Sequence, residues 1–119
     1  MLRQAECWDG AYYLAGYAVE CALKACIAKT TVRYDFPAKD RVVSSHTHNL
    51  YNLVRLAGME SILTTRNQND PDFRTNWDVT QRWSEQSRYQ RIQPELAKEL
   101  LNAVSEKGHG IIPWIKQHW

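Results

Sequence analysis

The first thirty residues constrain this chain more than any other stretch, because apolar side chains recur there with a helical period on two adjacent seams. Ala5, Trp8, Tyr12, Ala15, Val19, Ala22 and Cys26 step by three and four. Cys7, Ala11, Leu14, Ala18, Cys21 and Ala25 do the same one position earlier. Such spacing selects an α-helix from about Arg3 to Lys29. Two adjoining seams predict a wide buried face touching more than one neighbour. Gly10 and Gly16 each weaken that helix by about 1 kcal/mol relative to Ala, so packing has to outweigh them. A third stripe is polar: Tyr13, Tyr17, Glu20 and Lys24, with Glu20 and Lys24 in the favourable i, i+4 order. It is either a solvated strip or a ligand face.

The rest of the chain continues in helices. No helical period runs through Thr30 to Ser45, and Phe36-Pro37 disfavours helix there. Thr47 is placed to cap a helix from His48 to about Ala57, with Leu50, Leu53 and Val54 on one side and Gly58 at the stop. Met59, Ile62 and Leu63 add one or two turns, and Asn67 to Asn69 reads as a turn. Asp70-Pro71 is a strong helix start, an N-cap acceptor followed by a proline at the first helical position. Phe73, Trp77 and Thr80 carry that helix to about Arg82 or Trp83. Ser84 to Ile92 is a polar break. Gln93-Pro94 opens the next helix, with Leu96, Leu100, Ala103 and Val104 apolar; Gly108 and Gly110 loosen its end, and Ile111 to Trp119 makes a last amphipathic turn or two. Only Val42-Val43 weakly suggests a strand. The expectation is one all-α domain over residues 1–119, a four- to five-helix up-and-down antiparallel bundle.

Composition narrows the function classes. The chain has 119 residues, enough for one core, and 44% are hydrophobic. No apolar run reaches the length of a membrane span, and the start lacks a secretion-signal pattern, so a cytoplasmic location is expected. The net charge is only +2, and between Arg66 and Arg91 five arginines stand against four acids. No strong basic stripe marks a dedicated nucleic-acid binder. Cys7, Cys21 and Cys26 lie along one helix, with Cys7 and Cys21 about 21 Å apart at 1.5 Å per residue, so no disulfide is expected within it.

A few residues are candidates for chemistry. His46 and His48 lack the further ligands at fitting spacing that a zinc site needs, so neither metal nor cofactor is expected. Arg41 precedes them by five and seven positions. An arginine to hold phosphate and a histidine to move protons form a workable pair for metal-independent RNA cleavage. Arg88 has the chemistry to bind phosphate and Tyr89 to stack on a base; the equal alternative is an Arg88 paired with Glu20 or another acid beside a Tyr89 that wedges the bundle.

The stretch from Ala11 to Ala25, rich in tyrosine and alanine and ending Glu20-Cys21-Ala22-Leu23-Lys24-Ala25, resembles the first long helix of HEPN domains. His46-Thr47-His48-Asn49-Leu50 resembles the entry to their second helix, and Arg88-Tyr89 the pair before a late one. The resemblance implies a helical bundle, often a homodimer, frequently paired with a minimal nucleotidyltransferase in toxin–antitoxin-like modules. Some members are metal-independent ribonucleases with an Arg-x(4–6)-His motif, and others bind nucleotides, RNA or proteins. Here Arg41 with His46 or His48 fits the spacing but precedes the second helix, and no histidine follows Arg88 at four to six residues. The expectation is therefore a non-catalytic domain binding nucleotide, RNA or a partner nucleotidyltransferase through Tyr17, Glu20, Lys24, His46, His48, Arg88 and Tyr89. The alternatives are a ribonuclease using Arg41 and His46 or His48, and a purely structural dimerising protein.

Overall fold

A computed structural model describes residues 4–33, 49–84 and 92–118, with side chains from Cys7 to Lys29 in the first of these stretches. The described residues form six helices and no strand: α1 (Gln4–Arg33), α2 (Leu50–Leu56), α3 (Glu60–Asn69), α4 (Pro71–Gln81), α5 (Pro94–Ser105) and α6 (Ile111–Gln117). The chain is all-α. Arg41, Val42, Val43, His46, His48, Arg88 and Tyr89 lie outside the described residues.

Helix α1 runs about 45 Å at 1.5 Å per residue and is the spine of the molecule. It extends past Lys29 to Arg33. It packs chiefly on α5, and also on α2 and α6, while α4 packs on α5 and α3. One connected core draws on all six helices, including Val19 and Leu23 of α1, Leu53 of α2, Leu63 of α3, Phe73 of α4, Leu100 of α5 and Trp114 of α6.

The helix ends show the local chemistry at work. Asp70 caps α4, its Oδ1 accepting from the Phe73 N–H at 3.0 Å, with Pro71 next in the chain. Asn49, rather than Thr47, caps α2 by accepting from the Asn52 N–H. An Asx side chain reaches the first-turn amides as well as a threonine does. Gly58, at φ 76°, turns the chain between α2 and α3 in a conformation few other residues adopt. The expected turn at Asn67 to Asn69 is instead the last turn of α3. Asp70 stops that helix, its backbone extended at ψ 93° while its side chain begins α4.

The two seams of α1 meet different fates. On the first, Tyr12, Ala15, Val19 and Cys26 are buried and Trp8 and Ala22 pack at the core's edge. The second was expected to be buried too, and it faces outward: Cys7, Leu14, Ala18, Cys21 and Ala25 are exposed. The core takes Gly16, Glu20, Leu23 and Ile27 instead. Those residues lie on the other flank of the first seam, where Leu23 and Ile27 offer more apolar area than the alanines do.

Candidate functional site

Of the predicted site residues, Tyr17, Glu20 and Lys24 are described, and all three stand on one side of α1. Tyr17 is 41% exposed. Its ring stacks on that of Tyr13, one turn earlier, at 5.8 Å and 17° between planes. Tyr13 in turn tilts against Trp83 at 6.0 Å. The result is a three-ring ladder from the surface to a tryptophan that is only 3% exposed. The i, i+4 spacing of Tyr13 and Tyr17 brings the first two rings together. Gly16 admits the third, because a Cβ there would overlap the five-membered ring of the Trp83 indole.

Glu20 departs from the expected open strip: it is 2% exposed, while the Lys24 side chain is 34% exposed. Lys24 Nζ lies 3.3 Å from Glu20 Oε2. The carboxylate is buried because one turn past Gly16 the helix still faces the core. A hydrogen bond with Cys21 raises the Tyr17 pKa above its ordinary value, aided by nearby Glu20. The Trp83 Nε1–H is buried without an acceptor. Ile92 is anchored to the same helix by its N–H, which donates to Asp9 Oδ1 at 2.6 Å. Trp83 and Ile92, which flank the stretch carrying Arg88 and Tyr89, thus both attach to the N-terminal half of α1.

A second polar constellation escaped sequence analysis. Asp70 Oδ2 accepts from Arg66 Nε at 3.0 Å and lies 2.7 Å from His109 Nδ1. Arg66 also donates to the Gly108 carbonyl, and Asn76 Nδ2 donates to both the His109 carbonyl and Glu106 Oε2. The network ties the α3–α4 corner to the turn before α6. Its Asp70 carboxyl is held at about 2, first by the Phe73 amide and then, against partial desolvation, by His109 and Arg66. The His109 pKa is raised, chiefly by the bond to Asp70. Asp70, Asp72 and His109 offer ligand atoms within 4.8 Å of one another. Both Asp70 oxygens are already committed to the cap and to these partners, so the group works as a structural tie. Only the Asp70-Pro71 cap signal pointed here; His109 is 39 positions away.

A surface cleft of about 400 Å³ lies between α3 and α6, lined by Ile62, Thr65, Arg66, Trp114, Gln117 and His118 among others. Of the described candidates, Tyr17, Glu20 and Lys24, none borders it. No protein-family model matches this chain, and no curated protein or solved structure shows a significant match to it. No described helix is long and apolar enough to cross a membrane.

Proposed function

We propose that this chain is a HEPN-like domain that binds a nucleotide or RNA end without cleaving it, on the side of α1 that carries Tyr13, Tyr17 and Lys24. The observation that carries the reading is the ring ladder ending at the half-open Tyr17 beside the partly exposed Lys24. An exposed aromatic face accepts any base by stacking. A lysine ammonium one to two turns along supplies a point charge for phosphate. In this reading four or five of the helices form an up-and-down antiparallel bundle. The domain acts as a homodimer, alongside a nucleotidyltransferase in a toxin–antitoxin-like module.

The test is fluorescence anisotropy with a labelled single-stranded RNA and with ATP as competitor. Tyr17→Ala is expected to weaken binding by about tenfold, the loss of one stacking partner, and Lys24→Ala to flatten its salt dependence. RNA bound equally well by both variants removes the proposal. RNA cleaved in the presence of a chelator replaces it with a ribonuclease.

A further inference from the structure

The cleft between α3 and α6 is framed by side chains that are held from behind and left open in front. Helix α4 packs on both α3 and α6, and its wholly buried Phe73 touches both walls. The Trp114 ring of α6 tilts against Phe73 at 5.3 Å, and the Arg66 guanidinium of α3 sits 4.9 Å from the centre of the same ring. Arg66 is fixed further, because its Nε donates to Asp70 and its Nη2 to the Gly108 carbonyl. His118, just past α6, meets the Trp114 ring edge-on at 5.7 Å. Packing of this kind sets the geometry of a cleft before anything enters it.

The groups around the cleft share one chemical bias: they donate. Arg66 has committed Nε and Nη2, and no described residue accepts from its Nη1. Trp114 is only 2% exposed. No described residue accepts from its Nε1–H either, yet that atom is not sealed off as Trp83 Nε1 is. It keeps a path to solvent, and the cleft is the solvent-filled space that Trp114 lines. A buried indole N–H ordinarily finds an acceptor. Thr65, Asn69 and Gln117 add neutral donors at the rim, and no carboxylate lines the cleft among the described residues. Asp70 is already shared by Arg66, His109 and the α4 cap. Glu60 is taken by the Tyr51 hydroxyl of α2 at 2.7 Å. Ile62 supplies apolar surface on the α3 wall, as Trp114 does on the α6 wall.

We propose that this cleft binds a small aromatic carboxylate, its ring against Ile62 and its carboxylate accepting from Arg66 and the Trp114 indole. The volume of about 400 Å³ lies near the small end of the roughly 300–1,000 Å³ of ligand pockets, which suits a single ring system. One guanidinium among neutral donors matches one negative charge, and an arginine N–H to a carboxylate is a strong, charge-assisted bond. A phosphate dianion calls for more positive charge than this lining holds. The proposal is independent of the nucleotide reading, because Tyr17, Glu20 and Lys24 lie away from the cleft.

Nitrogen–proton NMR of the full chain titrated with benzoate tests it. The Trp114 indole resonance is expected to shift and saturate, with the sealed Trp83 indole as the unmoved reference. Benzamide keeps the ring and lacks the charge, so it is expected to bind about tenfold more weakly, the loss of a charge-assisted hydrogen bond. Thr65→Glu places a carboxylate on the exposed rim beside Arg66 and is expected to weaken benzoate by about tenfold as well. Thr64→Glu adds the same charge to an exposed position of the same helix off the cleft, and is expected to bind like the wild type. Both variants are expected to keep the helical circular dichroism. A Trp114 indole that does not saturate with benzoate, benzamide bound equally well, inorganic phosphate bound more tightly than benzoate, or a Thr65→Glu chain that binds like Thr64→Glu overturns the proposal. Loss of RNA binding in Lys24→Ala with benzoate binding intact concerns the nucleotide site alone.

Discussion

Replacing Gly16 with alanine adds one methyl group to the most crowded point of α1, and two opposing effects set the outcome. Alanine favours the helix over glycine by about 1 kcal/mol. Against this, the added Cβ would overlap the Trp83 indole, whose ring is rigid and almost wholly enclosed. Overpacking of this kind costs about 1–3 kcal/mol. The clash involves three atoms of one fused ring rather than the tip of a flexible side chain, so the upper half of that range applies. The expected net loss is about 1–2 kcal/mol, a fall in melting temperature of roughly 4–8 °C. Gly10→Ala is the matched control, on the same helix with open space at its Cβ. It is expected to raise stability by about 0.5–1 kcal/mol. Urea titrations followed by tryptophan emission and by circular dichroism measure both. If the two alanines shift stability in the same upward direction, Trp83 does not rest on Gly16 and the ring ladder is misplaced.

Other consequences follow from the same packing and charges. Leu100→Ala empties a fully buried site in α5 and is expected to cost about 2–5 kcal/mol, read as a lower urea midpoint with an unchanged slope. The Asp70 carboxyl, held below its ordinary 3.8 at about 2, contributes stability that is fully present above its ordinary pKa and lost as pH falls through 2. His109, raised above 6.5, contributes stability that is fully present below that value and lost as pH rises through its folded pKa. Urea midpoints measured against pH are therefore expected to decline on both sides of a window between about pH 4 and 6.5. Asp70→Asn is expected to remove much of the acid-side decline and His109→Gln the alkaline one. A profile unaltered by either change would show that this pair does not hold the α3–α4 corner.

The periodic segments and their punctuation were legible from residue order alone. Tyr12, Ala15, Val19 and Cys26 announced the buried line of α1. Asp70-Pro71 marked the start of α4, and Gln93-Pro94 that of α5. Helical period and capping chemistry act over a few residues, so a one-dimensional string carries them. Tyr17 and Lys24 were also visible as a polar edge of α1, and the Tyr13–Tyr17 stack follows from their spacing. The Trp83 end of the ladder does not, since it depends on what α4 brings back across the chain.

Burial, by contrast, is a property of neighbours. Apolar residues lie on both sides of the seam through Val19, and only the arrival of α5 and the other helices decided that Leu23 and Ile27 would be covered while Leu14 and Cys21 stayed open. The same arrival enclosed Glu20, which its sequence context presented as a surface partner for Lys24. The tie between Asp70 and His109 spans 39 positions and needs the turn before α6 to fold back on the start of α4. Residue order by itself determined that this chain would be helical and where several helices begin, because those choices are settled within one or two turns. Which side of a helix meets water, and which distant polar groups meet each other, was decided by tertiary packing, because both depend on contacts between segments far apart in the chain.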